Sequence, residues 1–432
     1  MLCDVAKNLA FEGRFGTDVF GNVSGFPHAY YWQPPLYPLI MAGVYRVAGF
    51  GMLQTRIPGL IFGAMAIFLL MLLIYRLTGD MSSAFVAGSI LLIDPVFIQT
   101  SRAGRMDTLA IMLILLGLYM FIVKKKDFVS GVFIGLAGIT HPIVIEVFLA
   151  IVLLIFIKEG FVKTVRFISG AFIPLIPWII YILIHPDYFS SQFLMHGIYH
   201  IKAGFFSSIL GELKRYIHAY RYAPLIPLIF LMVIITALKN PLKYLSYIIL
   251  FSIPLIFNTF LMVKGMGYYT LYPELGCLLL TGFVVKEWNR KIIKKVVLPV
   301  LILTGLFTMG SRLYITISQW HERDYTLIFS ELKDIIKLGD YVWGPGEAWY
   351  GVIEAGGRLQ ITGDIDPERH RVVIVNPWAY DIEDVYIPPE YRFVRRIGSP
   401  IQYPRLYLIL NPENRMYLMD VYTLSRDVRL TF

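Results

Sequence analysis

The stretch Gln99–Asp107, QTSRAGRMD, decides how this chain is read. It is polar and carries Arg102, Arg105 and Asp107. Apolar runs flank it on both sides, Ser83–Ile98 before and Thr108–Val123 after. Each run is near the length that crosses the hydrocarbon core of a bilayer. Two arginines and a carboxylate therefore surface where two membrane helices meet. Charge at that depth is costly and has either a partner or a task. A plain helix-connecting turn, closed by its own Arg–Asp pair, is the simpler account. The rest of the chain decides between the two.

Working outward, the composition supports a membrane protein. The 432 residues are 57% hydrophobic and only 16% charged, where a soluble chain is about a quarter charged. The apolar runs are continuous, which points to helices; a β-barrel shows weak alternating segments instead. Beyond the short helix expected over Asp4–Arg14, Leu36–Phe50 is apolar but short and holds Arg46. That length suits a helix lying on the membrane surface. About ten spans follow, at 57–77, 83–98, 107–123, 129–141, 143–157, 164–184, 223–238, 244–262, 268–285 and 296–317.

The net charge of +9 does not indicate a nucleic-acid partner, because its distribution is that of a topology signal. Alternate loops hold Arg76, then Lys124–Lys126, then Lys158, Lys163 and Arg166, then Lys239 and Lys243, then Lys286, Arg290, Lys291, Lys294 and Lys295. The other short loops hold only Arg102, Arg105 and Lys264. Basic loops stay in the cytoplasm. QTSRAGRMD, both chain ends and the long loop His185–Tyr222 are then expected outside a multi-pass cell membrane. The first 35 residues contain no signal-peptide core. Two cysteines, Cys3 and Cys277, exclude a disulfide framework and a CxxC metal site.

The expected division is a transmembrane domain over 1–320 and an extracytoplasmic α/β domain over 321–432. Within the first, 1–55 forms an external loop with interfacial helices and 185–222 the long external loop. The C-terminal part has strand-like runs at Asp340–Trp343, Arg371–Val375 and Arg405–Leu410, and an amphipathic helix at Thr326–Lys337. GPGEAW at Gly344–Trp349 follows a strand, but Trp349 stands where a dinucleotide fingerprint needs glycine, so it reads as a tight turn.

Polar functional residues gather at the outer face. They are Asp18, His28, Tyr30, Tyr31, Gln33, Arg102, Arg105, Asp107, His141, and the long loop's His196, His200, Lys202, Lys214, Arg215 and Arg221. A transporter places such groups near the bilayer midplane. An enzyme working where membrane meets the exterior clusters them as here. Cations suit a lipid phosphate and carboxylates suit a general base. Plainer roles stand beside these. His28 and His141 also suit satisfied polar groups at helix ends, Asp94 before Pro95 suits a turn, and Tyr30, Tyr31 and Trp32 suit an interfacial aromatic belt.

Four segments together resemble the membrane-embedded GT-C glycosyltransferases, nearest to protein O-mannosyltransferases and lipid A aminoarabinose transferases. They are YYWQPPLYPLI (Tyr30–Ile40), RIPGLIFGAMAIFLLMLLIYRLTG (Arg56–Gly79), SRAGRMDTLAIMLILLGLY (Ser101–Tyr119) and GLAGITHP (Gly135–Pro142). The resemblance covers roughly residues 1–320. It implies a hexosyl- or pentosyltransferase at the outer face. The enzyme would move a sugar, with inversion, from a polyprenyl-phosphate donor to a protein, lipid or glycan hydroxyl. It implies catalytic roles for Asp107 and, more remotely, Asp4. It implies donor-phosphate or substrate contacts from Arg102, Arg105, Gln33, Tyr31, His28, His141, Lys202, Arg215 and Arg221. No cofactor is firmly implied, and a divalent metal stays open.

The sequence departs from the family in two places. The family's first span and acidic pair align upstream of Met1, which leaves Asp4 about two turns late. Some aminoarabinose-type relatives have Glu-Lys before the double proline, where this chain has Trp32–Gln33. A lipid-linked substrate flippase, or an inactive truncated paralogue, are the rival expectations.

Overall fold

The computed structural model describes residues 2–198, 204–221, 223–261, 267–287, 293–318, 325–376, 385–398 and 418–425. The chain forms two compact units: residues 31–311, and residues 3–30 together with 312–432. The N-terminal stretch is thus grouped with the C-terminal region, where the sequence reading placed it with the membrane segments.

The larger unit is helical. It contains α2 (Leu36–Ala48), α3 (Met52–Thr78), α4 (Met81–Ile93), α5 (Pro95–Arg102), α6 (Asp107–Ile122), α7 (Asp127–Gly138), α8 (Val144–Glu159), α9 (Phe161–Phe172) and α10 (Leu175–Ile184). The long loop holds α11 (Pro186–Ile198) and α12 (Phe205–Tyr220), and then come α13 (Leu225–Leu238), α14 (Pro241–Phe260), α15 (Leu271–Glu287) and α16 (Leu298–Ser318). Each of the ten expected spans falls on one of these helices or on a bent pair of them. The count of ten crossings does not follow. Among the described residues only α3 and α14 are long and apolar enough alone, and up to four spans result when α4–α5 and α9–α10 are each taken as one bent span. The reason is length: twelve to sixteen helical residues, as in α6 and α7, rise roughly 18–24 Å, short of a core about 30 Å thick.

Proline sets the bends. Asp94 precedes Pro95, whose ring disfavours helical backbone at the residue before it, and Asp94 is extended at φ −61°, ψ 122°. The helix stops there and restarts at a 62° angle. Asp94 then caps the new helix, its Oδ1 accepting the Phe97 N–H at 2.6 Å. Glycine sets the tightest packing. A Cβ on Gly131 or Gly135 of α7 would land on the carbonyls of Phe167 or Ala171 in α9, and one on Gly170 of α9 on the carbonyl of Phe128. The two backbones touch, as small residues allow between membrane helices.

Among the described residues the smaller unit has α1 (Leu2–Glu12), α17 (Tyr325–Lys333) and α18 (Trp349–Glu354) with a five-stranded sheet. Its strands are β1 (Tyr341–Trp343), β2 (Arg358–Gln360), β3 (His370–Val375), β4 (Tyr391–Ile397) and β5 (Met419–Leu424), in the order β2-β1-β3-β5-β4. β1 pairs parallel with β2 and β3, whereas β5 pairs antiparallel with β3 and β4. Two expected strands match β1 and β3, and the third, Arg405–Leu410, lies outside the described residues. The GPGEAW segment turns after β1 and leads through a short 3-10 turn at Gly346–Ala348 into α18.

Candidate functional site

QTSRAGRMD folds as the end of α5, a turn, and the start of α6. Gly104 makes the turn with φ +62°, where a Cβ would also strike Thr55. The reversal brings Arg105 back over α6, and its Nε donates to Asp107 Oδ2 at 2.8 Å. Its guanidinium stacks on the Tyr268 ring at 3.8 Å, a face that attracts cations. Asp107 is fully buried, while the Arg105 side chain keeps 26% of its surface exposed. Burial works against the Arg105 charge, and Asp107 more than offsets this, so the guanidinium pKa lies above its ordinary value. The ion pair expected from the sequence is present, and it holds a cation that still reaches solvent.

His141 closes the other side. The turn after α7 points the Ile143 N–H at His141 Nδ1, 3.2 Å away. That bond assigns Nδ1 as acceptor and places the proton of the neutral ring on Nε2. Nε2 faces Asp107 Oδ1 at 3.7 Å. The imidazole packs against Tyr269 and Tyr272, with ring centres 5.8 and 5.7 Å away. Deeper still, the Asn258 amide Nδ2 donates to Glu146 Oε1 at 3.1 Å and to the Tyr269 carbonyl at 3.2 Å.

The long loop contributes through α12, which packs against α5 and against the 3-10 turn Gly267–Thr270. Arg215 is buried there, with Nη1 2.9 Å from Glu212 Oε2. Burial pushes the Glu212 carboxyl above its ordinary range, and the Arg215 charge opposes that. Arg215 also acts electrostatically on Tyr269, as Arg105 and Asp107 do. Arg221 is half-buried just past α12, and Arg102 is exposed at the end of α5.

The double-proline segment reaches the same neighbourhood. Leu36 N–H donates to the Ile139 carbonyl at 3.0 Å, two residues before His141. Gln33 is buried and its Oε1 has no hydrogen-bond partner among the described residues. Tyr31 is held by Gln192 Oε1 on its N–H and by rings of Trp178, Tyr181 and Phe189.

Two expected residues belong to the smaller unit, where their surroundings differ. Asp4 is buried, and its Oδ2 accepts from Thr17 Oγ1 at 2.7 Å, from Asp18 N at 3.2 Å and from Asn8 Nδ2 at 3.4 Å. Its Oδ1 accepts from Trp349 Nε1 at 3.0 Å. A general base needs a lone pair aimed at its substrate, and these four donors make Asp4 a fold-holding carboxylate. His28 is exposed. Lys202 and His200 lie outside the described residues, as does the side chain of His196. Among the described residues no three His, Cys, Asp or Glu side chains gather to hold a metal ion.

The sequence reading missed Tyr268, Tyr269, Tyr272, Glu146 and Asn258. It also missed Glu274, whose Oε2 accepts from Tyr220 at 2.7 Å. Their signal was an ionisable or amide side chain inside an apolar run, the kind of residue that membrane interiors keep for a purpose.

Residues 32–185 match the sequence family described as dolichyl-phosphate-mannose-protein mannosyltransferase. No curated protein matches the chain in sequence. In structure the chain is similar to ArnT from Cupriavidus metallidurans bound to undecaprenyl phosphate, with TM-score 0.61 and 12% identity over 98% of this chain and 93% of that one. It is likewise similar to ArnT from the same organism in the apo state, with TM-score 0.59 and 14% identity over 98% and 92%. The chain therefore has the ArnT fold over nearly its whole length. The GT-C resemblance read from the four segments is borne out.

Proposed function

We propose that the chain is a glycosyltransferase that takes a sugar from a polyprenyl-phosphate donor at the outer face of the membrane. Arg105 carries this reading. It is a mostly buried cation, fixed by Asp107 and Tyr268, with its free edge open to a ligand. A lipid phosphate is the anion that a membrane protein of this fold meets at that depth, and ArnT was solved with such a lipid bound.

In this reading Arg105 grips the phosphate, and Arg215 adds charge from α12. The acceptor hydroxyl, on a protein, lipid or glycan, attacks the anomeric carbon. Its proton passes to Asp107 Oδ1, the oxygen left free by Arg105. The bond from the anomeric carbon to the phosphate oxygen breaks with inversion, and the lipid phosphate leaves as an anion held by the arginines. His141 packs beside the Asp107 carboxylate, its Nε2 3.7 Å from Oδ1.

The test uses the purified chain in lipid nanodiscs with polyprenyl monophosphate as the probe. Arg105→Ala removes charge-assisted bonds of about 1.5–3 kcal/mol, so affinity is expected to fall roughly ten- to a hundred-fold. Asp107→Asn is expected to lower both affinity and sugar transfer. Unchanged affinity in both Arg102→Ala and Arg105→Ala would assign these arginines to structure and overturn the reading. Transport of a lipid-linked sugar without its cleavage would replace the transferase with a flippase.

A further inference from the structure

The long-loop helix α12 is turned inside out for a docked helix. Its buried side is polar, with Ser208, Glu212, Arg215 and Tyr220. Its exposed side carries Phe206, Ile209, Leu210, Leu213 and Ile217, spaced along one helical face. An apolar face left open suits lipid, so burial of apolar area does little to hold α12 on the bundle. The hold has to come from polar contacts. Glu212 and Arg215 pair within α12. Tyr220 reaches across, and its hydroxyl donates to Glu274 Oε2 of α15 at 2.7 Å.

Behind that bond stand two carboxyls with no counter-charge. Asp94 and Glu274 are both buried. They are hydrogen-bonding neighbours, and Tyr220 reaches both. Asp94 spends Oδ1 on the Phe97 N–H. Its Oδ2, and Oε1 of Glu274, meet no donor among the described residues. The titratable side chains facing the pair there are Tyr220 and Tyr216 of α12 and Cys277 of α15, while Glu212 and Arg215 act on Tyr216 from further along α12. Two carboxylates in one dry site repel and do not both ionise. One proton between them removes the repulsion and lets one carboxyl donate to the other. Tyr220 then donates to an oxygen that keeps charge, which makes its bond a strong one.

We propose that Asp94 and Glu274 share a proton, and that the protonated pair is a latch that holds α12 through Tyr220 and frees it when the proton leaves. With Tyr220 gone, water reaches the carboxyls and takes the proton. The docked state thus holds a proton that the released state gives up, so docking is strongest in acid and weakens as pH rises. The latch involves no substrate and stands apart from the transferase reading. On that reading it also sets when Arg215 is near the lipid phosphate.

The experiment reads the position of α12 on the full chain in lipid nanodiscs. Ser208→Cys, with Cys3→Ala and Cys277→Ala, places a single thiol on the buried side of α12, about three turns from Tyr220. Its reaction with a water-soluble methanethiosulfonate is followed from about pH 5.5 to about pH 8.5, a window above the ordinary carboxyl range. A peptide of the α12 sequence with the same cysteine supplies the free-thiol rate at each pH. Relative to that peptide, labelling is expected to rise roughly ten-fold or more across the window, the worth of a charge-assisted hydrogen bond. Glu274→Gln and Asp94→Asn each put a neutral amide donor where the shared proton was, and each should keep the thiol protected throughout. Tyr220→Phe should expose it at every pH. Relative labelling that stays flat with pH in the unaltered pair would overturn the latch. The same rise in both amide variants would overturn it too, and either variant answers if the other does not fold. Neither result touches the Arg105→Ala test, which measures lipid-phosphate binding at one pH.

Discussion

At the scale of single residues, the Arg105–Asp107 pair was legible and its neighbours were not. Arg105 and Asp107 stood out because they interrupt apolar sequence. Tyr268 and Asn258 did not, because hydroxyl and amide groups acquire meaning only when folding brings them to Arg105 and Glu146. Asp4 shows the opposite failure. Its type made it a remote candidate for a base although its place fell about two turns late, and four donors hold its carboxylate. Asp4→Asn puts an N–H₂ against those donors and is expected to cost about 2–3 kcal/mol, read as a lowered melting temperature of the purified chain; lost transfer at unchanged stability would restore the catalytic role. His370 supplies a pH dependence. Its Nδ1 accepts the Asp366 N–H at 2.9 Å and Nε2 lies 3.1 Å from Gln360 Oε1. Burial first, and then the Arg369 charge, push its pKa from 6.5 down to about 4. The folded ring stays neutral where the unfolded ring takes a proton, so its contribution is full above pH 6.5 and is lost as pH falls toward 4. Melting temperatures measured from pH 7 to pH 4 should fall, and His370→Gln should flatten that slope.

At the scale of elements, apolar length located the helices and said little about how they meet. Every expected span found its helix within a few residues, and the Asp94–Pro95 break was visible in the sequence as a proline rule. The two helices of the long loop were not foreseen, because apolar length marks only segments long enough to span, and these have 13 and 16 residues. Neither was the contact of α7 with α9. The glycines at 131, 135 and 170 are spaced for it, but a small residue signals close approach only when its partner is known. Gly131→Val or Gly135→Val must push two backbones apart, and each is expected to destabilise the chain by roughly 1–3 kcal/mol. Thermal unfolding in detergent measures this. Gly138→Val is the control, since a Cβ there meets nothing within 4 Å.

For the whole molecule, the sequence predicted a largely helical part and a small sheet-bearing part, and the structure has both a helical unit and a sheet. It did not predict that residues 3–30 would group with the C-terminal region, since the Asp4–Trp349 bond joins positions 345 residues apart and leaves no local pattern. The topology expectation has a direct test. A reporter fused after Phe432 should read outside and one inserted at Lys125 inside; both on one side would overturn the assignment. On the transferase reading, the glycine contact bears on how a lipid-linked donor would arrive. Where α7 and α9 meet, carbonyls of one helix stand against the α-carbons of the other. At these three glycines the nearest neighbours across the seam are backbone atoms, which no rotamer change can swing aside. If the transferase reading holds, that seam could part for a prenyl tail only by separating the backbones themselves, and the tail's way in would run between helices whose contact is made by bulkier, movable side chains.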